Sequence, residues 1–323
     1  MTLRIIALFE SGYYGSQNHQ KKSNADQTTL GIRLMVGFCF IAPVLDVFAK
    51  LAAEEIPIAQ ITSIRFVGQA VFMFLIIIIL QRPVKVPLDL LLPLFYRALF
   101  LLTATYCFFF AIKTMPIADA VAIVFIEPFI LLLIGKFFFS EIVGIRRLTA
   151  CSIGFTGVIL VIKPSFMNFG LVALYPLGTA FSFAFYIIIT RRLSRYIDPI
   201  LIQSYTAFWG TIVCLPILIF GNLLNFYPLQ IVIPKNIFWI WLLGVAVFGT
   251  ISHLFISYAL KFTSSTILAP LHYLEIVSAV FFGFLVFGDI PDKTAFLGMV
   301  VIVLSGIYIF FREQFLQKQS RTR

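Results

Sequence analysis

The stretch 269–289, APLHYLEIVSAVFFGFLVFGD, decides how this chain is read. It is apolar, long enough to cross a bilayer, and carries one carboxylate, Glu275, near its middle. A charge at that depth costs roughly 2.5–3.5 kcal/mol on insertion scales, so a partner, a cavity or a function must offset it. Shifted back by 148 positions, the stretch meets an earlier copy of itself. Glu275 falls on Glu127, Asp289 on Glu141, Lys261 on Lys113 and Ala259 on Ala111; with one residue of slippage, Gly306 falls on Gly157. Two carboxylates at matching depths in two half-chains point to paired structural repeats of the kind that build transporters.

The rest of the chain has the same character. Apolar residues make up 61% and charged residues 12%, which excludes an ordinary soluble domain. Hydropathy predicts ten spans, about Leu30–Ala49, Ile58–Leu80, Leu92–Ile112, Ile117–Lys136, Leu148–Ile162, Leu171–Thr190, Ile200–Phe220, Ile237–Leu260, Ser265–Phe287 and Thr294–Phe311. Continuous apolar runs without period-2 alternation make them helices and not barrel strands. The expected fold is an all-α membrane protein of ten transmembrane helices. Its divisions are a polar cytoplasmic tail (1–29), a first five-helix repeat (30–164), a second (170–313) and a basic tail (314–323). No small-residue cleavage site follows the short apolar run at the start, so a secretory signal is not expected.

The net charge of +10 belongs to orientation, not to nucleic acid. With the N-terminus inside, 17 Lys and Arg fall on the inner side. Lys50, Lys113, Lys163, Lys235 and Lys293 fall outside, and Arg65 and Arg97 within spans. That asymmetry predicts both termini in the cytoplasm. Five helices per half is odd, so the two repeats enter the membrane from opposite sides and are inverted. The four cysteines lie in apolar segments without CxxC spacing and are expected to be reduced packing residues. No metal and no cofactor is called for.

Glu127 and Glu275 each lie about ten residues into a span, roughly 15 Å deep at 1.5 Å per residue. They are read as binding a cationic or amine-bearing solute, or relaying protons; the competing reading is a helix–helix hydrogen bond. Pro128 lacks a backbone donor and should loosen the fourth span beside Glu127. His253 lies in the eighth span. His272, three residues before Glu275, could form a His–Glu pair that titrates near neutral pH and couples transport to protons. Tyr273 could stack on an aromatic solute. Asp46 and Arg65 lie at compatible depths for an ion pair, with Lys50 snorkelling to the interface; Arg97 is read as a snorkelling group or an inner gate contact. Ala150-x-x-x-Gly154 and Ala279-x-x-x-Gly283 permit close helix approach, within one chain or in a homodimer.

Each half ends as a helix, an acidic turn and a Gly-containing helix: MPIADAVAIVFIEPFILLLIGKFFFSE then GFTGVILVIKPS, and TSSTILAPLHYLEIVSAVFFGFLVFGD then LSGIYIFF. This layout resembles the EamA family of the drug/metabolite transporter superfamily over nearly all of 31–313. Pro128, Glu141 and Gly157 match its pattern in the first half, and Pro270, Asp289 and Gly306 in the second. Asp289 stands where Glu is more usual, and Glu127 is not a general family feature. YLEIVSAVFFGFLVFGDIPDK looks most like the S-adenosylmethionine uptake subgroup; riboflavin importers and metabolite exporters share the family. The resemblance implies a secondary transporter in a bacterial inner membrane, working by alternating access on S-adenosylmethionine or a vitamin- or amino-acid-like solute. A metabolite or drug exporter is the alternative. A channel is less expected, as is a membrane-embedded enzyme, since neither HExxH nor GxSxG occurs.

Overall fold

The computed structural model describes residues 23–81, 84–138, 145–263, 268 and 271–321, and among them there is no strand. The helices are α1 (Ser23–Ala52), α2 (Ile58–Leu80), α3 (Leu88–Ile112), α4 (Ile117–Val124), α5 (Glu127–Phe138), α6 (Ile145–Phe169), α7 (Tyr175–Leu193), α8 (Pro199–Leu223), α9 (Phe238–Phe262), α10 (Leu274–Phe287) and α11 (Lys293–Arg321). Proline punctuates them. Pro57, Pro87 and Pro116 immediately precede α2, α3 and α4, and Pro199 opens α8, positions where a missing N–H breaks no helical bond. At the start of α8 the Asp198 side chain accepts from the Ile200 amide at 3.0 Å and from Lys261 at 3.0 Å. Burial pushes this carboxyl up, but the Ile200 amide, Lys261 and Tyr258 outweigh it and hold it below the usual carboxylate range.

Six helical stretches among the described residues are long and apolar enough to cross a membrane. One of them, Ser152–Leu193, runs for 42 residues. At 1.5 Å per residue that is roughly twice the hydrocarbon thickness, and it is divided by a 3₁₀ turn at Gly170–Leu174 whose glycine has φ 61°. The outer face of α10 shows why such helices need lipid. Val277, Phe281, Phe284 and Leu285 recur at helical spacing and are all exposed, with no polar residue to cover them.

Several boundaries differ from the sequence expectation. Helix α1 already begins at Ser23, inside the segment expected to be a polar tail, and Thr263 Oγ1 donates to the Thr28 carbonyl at 3.1 Å. Helix α6 carries the short fifth span on to Phe169 with Pro164 inside it, and α11 runs through the basic tail to Arg321. The fourth span is not one helix but two, α4 and α5, interrupted at Phe125–Ile126. Helix α4 is buried on every side from Ile117 to Ile123, its one carboxylate Asp119 included, which accepts from Ser165 at 3.3 Å, and it belongs to the main core with Leu45 and Ala49 of α1 and Ala279 of α10.

Packing runs between the two halves of the chain. Helix α1 lies along α9 and α3 along α7; α2 lies along α8; α6 lies along α11; α4 meets α10. The α6–α11 crossing is closest at Gly157, where a Cβ would stand 2.8 Å from the Gly298 carbonyl oxygen and 2.9 Å from Ile302 Cγ1.

Candidate functional site

Two helix breaks build the site. In the first half, Phe125 leaves helical geometry (φ −67°, ψ 9°) and α5 restarts with Glu127 as its first residue. In the second, residues 271–272 are helical, Tyr273 loosens the helix while keeping right-handed torsions (φ −63°, ψ −16°), and α10 runs on from Leu274 with Glu275 in its first turn. The offset of 148 carries Phe125 onto Tyr273 as it carries Glu127 onto Glu275. The two break residues stack on each other, with ring centroids 5.0 Å apart and planes 25° apart. Pro128 accounts for the first break, since it has no N–H to return to the Val124 carbonyl. In the second, the Cys39 thiol of α1 donates to the Leu271 carbonyl at 3.2 Å, and Ser278 Oγ donates back to the Cys39 carbonyl.

Both carboxylates open onto one cavity of about 100 Å³, room for several water molecules. Its ionisable lining is Asp46 of α1, Arg65 of α2, Glu127 of α5, His253 of α9, and His272 and Glu275 before and within α10. Phe38, Phe108, Phe125 and Phe183 supply apolar and aromatic surface. His272 Nε2 lies 2.8 Å from Glu275 Oε2, a pair one helical turn apart. The His272 ring is boxed by Phe38 (5.5 Å), Phe125 (5.2 Å) and Phe183 (6.3 Å). Such a site can hold a cationic group against carboxylates, stack a planar one on aromatic rings, and exchange a proton between His272 and Glu275.

Of the residues singled out from sequence, Asp46, Arg65, Glu127, His253, His272 and Glu275 come together here, and Tyr273 and Arg97 do not. Tyr273 turns away from this cavity and packs in a separate cleft with Pro128, Phe155 and Ser305; its ring presses so closely on Gly306 that a Cβ there would collide. Arg97 neither snorkels nor reaches the cavity. It is 0% exposed and donates to Thr190 (2.7 Å), Tyr186 (2.8 Å), Gln203 (3.2 Å), Ser257 (3.3 Å) and Thr206. Asp46 and Arg65 share the cavity but do not form an ion pair within 4 Å. Lys50 is not a snorkelling group. It bonds Asp289 at 2.9 Å and the Met115 carbonyl at 3.1 Å, joining the end of α1 to the end of α10. The expected Glu141 match lies outside the described residues. Thr105, Ser252 and His253 join the lining, and of these only His253 stands out in the sequence. Cys39, Cys107 and Cys214 are free thiols.

A bundle of apolar helices around a charged, aromatic-lined cavity defines an integral membrane protein built to handle a small solute. The chain belongs to the EamA-like transporter family, whose model matches it twice, at residues 29–163 and 170–311. It is similar to an S-adenosylmethionine uptake transporter of Rickettsia conorii, 26% identical over 218 residues (68% of this chain, 71% of that one). It is also similar to a riboflavin transporter of Vibrio cholerae, 28% identical over 207 residues (64% and 66%). A pseudopaline exporter of Pseudomonas aeruginosa is 27% identical over 285 residues (86% and 94%). A solved crystal structure superposes with a TM-score of 0.61 over 91% of this chain and 99% of that one at 14% identity, a likeness of fold alone.

Proposed function

We propose that this protein is a secondary carrier that moves a small organic metabolite across the bacterial cytoplasmic membrane by alternating access. The observation that carries the reading is the pair of matched helix breaks, each two residues before a carboxylate and both opening on one cavity. Discontinuous helices meeting at the interface of two repeats are how such carriers place a site near the midplane. In this reading the chain forms ten transmembrane helices in two inverted five-helix repeats, with both termini cytoplasmic. The helix pairing supports it, because exchanging the halves turns the α1–α9 contact into the α7–α3 contact and leaves α2–α8 and α6–α11 unchanged. The 17-to-5 charge asymmetry supports the orientation.

Glu127 and Glu275 are assigned to the cationic or amine-bearing end of the solute. His272, paired to Glu275, is assigned to proton coupling. Import of S-adenosylmethionine or of a vitamin- or amino-acid-like solute follows the uptake relatives. Export is the second reading, and the match to the pseudopaline exporter over 86% of this chain favours it. Thermal stabilisation of the purified protein across S-adenosylmethionine, riboflavin and the amino acids tests binding, since a ligand stabilises the folded state by mass action. Counterflow in liposomes tests carriage. Trans-stimulation by a stabilising compound is the expected result, and its absence for every stabilising compound would refute the carrier.

A further inference from the structure

The acids of the cavity face a second group that the carrier reading leaves without a task. Arg65 is 1% exposed, yet among the described residues no carboxylate lies within 4 Å of its guanidinium. One nitrogen donates to Thr105 Oγ1, while Nε has no partner. Five N–H donors and a full charge are thus buried beside a cavity with one hydrogen bond between them. Gly249 of α9 makes room for this, since a Cβ there would stand 3.1 Å from Arg65 Nε. One turn further along α9 is His253, which also lines the cavity.

His253 is held by a relay that starts at Arg97. Arg97 Nη2 donates to Tyr186 Oη at 2.8 Å, and Tyr186 Oη lies 3.0 Å from His253 Nδ1. A guanidinium can only donate, so the phenol oxygen accepts from it, and Nδ1 is the one acceptor that meets the phenol proton among the described residues. With the phenol proton in that bond, the ring proton of a neutral His253 is on Nε2, and Nε2–H is the nitrogen that can meet a solute. Arg97 and Tyr186 act as positioning residues for that donor.

We propose that this α2–α9 corner is an anion pocket. Arg65, with His253 beside it, takes the carboxylate of a zwitterionic solute whose cationic end meets Glu127 and Glu275. The proposal rests on the carrier reading and narrows its substrate class. A purely cationic solute would seal Arg65 in a dry site with its fork unfilled. A purely anionic one would meet Asp46, Glu127 and Glu275. A molecule bearing both charges satisfies both ends, and a carboxylate fits the planar guanidinium through two parallel hydrogen bonds.

The test compares matched probes that differ only by the carboxylate. These are S-adenosylmethionine and its decarboxylated form, L-arginine and agmatine, L-methionine and 3-methylthiopropylamine, and L-phenylalanine and phenethylamine. Binding is read by thermal shift and by competition on the wild type, Arg65→Lys, Arg65→Gln and Tyr186→Phe. We expect at least one zwitterion to bind wild type at least tenfold tighter than its amine. Arg65→Gln should erase that preference, Arg65→Lys should keep part of it, and Tyr186→Phe should weaken the zwitterion more than the amine. Amines that bind wild type as tightly as their zwitterions would overturn the anion pocket and leave the carrier standing. An undiminished preference in both Arg65 variants would overturn it equally. If no zwitterion binds while riboflavin does, the anion pocket again falls alone; if nothing binds or exchanges, the carrier falls with it. The wild-type comparison decides the matter even if a variant fails to fold.

Discussion

Replacing Glu275 by Gln separates function from stability at one atom. In the folded protein Glu275 accepts from His272 at 2.8 Å. A hydrogen bond to a charged group contributes about 1.5–3 kcal/mol and a neutral one about 0.5–1.5, so the substitution forfeits about 1–1.5 kcal/mol locally. Against that loss, it removes a charge whose placement in hydrocarbon costs roughly 2.5–3.5 kcal/mol. The fold should therefore hold or gain about 1–2 kcal/mol, a rise in Tm of a few degrees. A cationic solute loses a charge-assisted contact of about 1.5–3 kcal/mol, which corresponds to about 10- to 150-fold weaker binding. The assay is thermal unfolding of the purified variant alongside counterflow of the stabilising compound in liposomes. Weak transport by a protein as stable as wild type is the expected outcome. Normal transport would reduce Glu275 to a helix-pairing group, and a collapse in Tm would make it a structural residue; either result refutes the reasoning.

Glu127→Gln should act in the same direction, and the double Gln variant should depart from the sum of the singles by more than about 0.5 kcal/mol in transport free energy; strict additivity would mean the two carboxylates do not share a site. Lys50→Met should lower Tm by breaking the Asp289 pair and the Met115 carbonyl bond, and the exchange Lys50→Asp with Asp289→Lys should restore only part, because the carbonyl bond is not rebuilt; full restoration would show that the carbonyl bond contributes nothing. Gly157→Leu should cost about 1–3 kcal/mol at the α6–α11 crossing, read as a lower Tm, since the Gly298 carbonyl oxygen leaves no space for a side chain. Asp198→Ala should cost about 1 kcal/mol at neutral pH through the lost helix cap. The folded Asp198 carboxyl titrates below its unfolded value, so its stabilisation is present above the unfolded pKa and vanishes as pH falls through the folded one. The Tm gap between wild type and variant should thus close between about pH 5 and pH 2, and a gap that survives at low pH would assign the effect to packing.

The elements are legible in the sequence because hydropathy reports depth, and depth is what the bilayer selects. Glu127 and Glu275 read as mid-membrane residues with His272 a turn away, Asp46 and Arg65 as residues nearer the outer side, and the cavity gathers all five. Direction around the helix axis is harder to read. Helix α4 is buried all round, its carboxylate Asp119 facing Ser165 and not the cavity, so its polar residue does not mark the side that meets the solute. This is why depth alone makes Arg97 a snorkelling or gating group, whereas three neighbouring helices turn five neutral acceptors toward it. The partner of Lys50 is hidden for a related reason: Asp289 lies 239 residues away, and only the packing of α1 on α10 brings it near.

Tyr273 is the one residue whose direction helix geometry alone could have corrected. Successive residues on an α-helix are about 100° apart, so positions three apart lie about 60° from each other on one face. If His272 and Glu275 share the cavity side, Tyr273 is about 100° from one and 160° from the other, and must look away. It does, stacking on Phe125 and pressing on Gly306. The offset of 148 carries Phe125 onto Tyr273, but Phe125 leaves helical geometry, and its ring both stacks on Tyr273 and lines the cavity beside His272. The two halves thus use the matched aromatic differently: Tyr273 packs away from the cavity, whereas Phe125 reaches both the stack and the cavity.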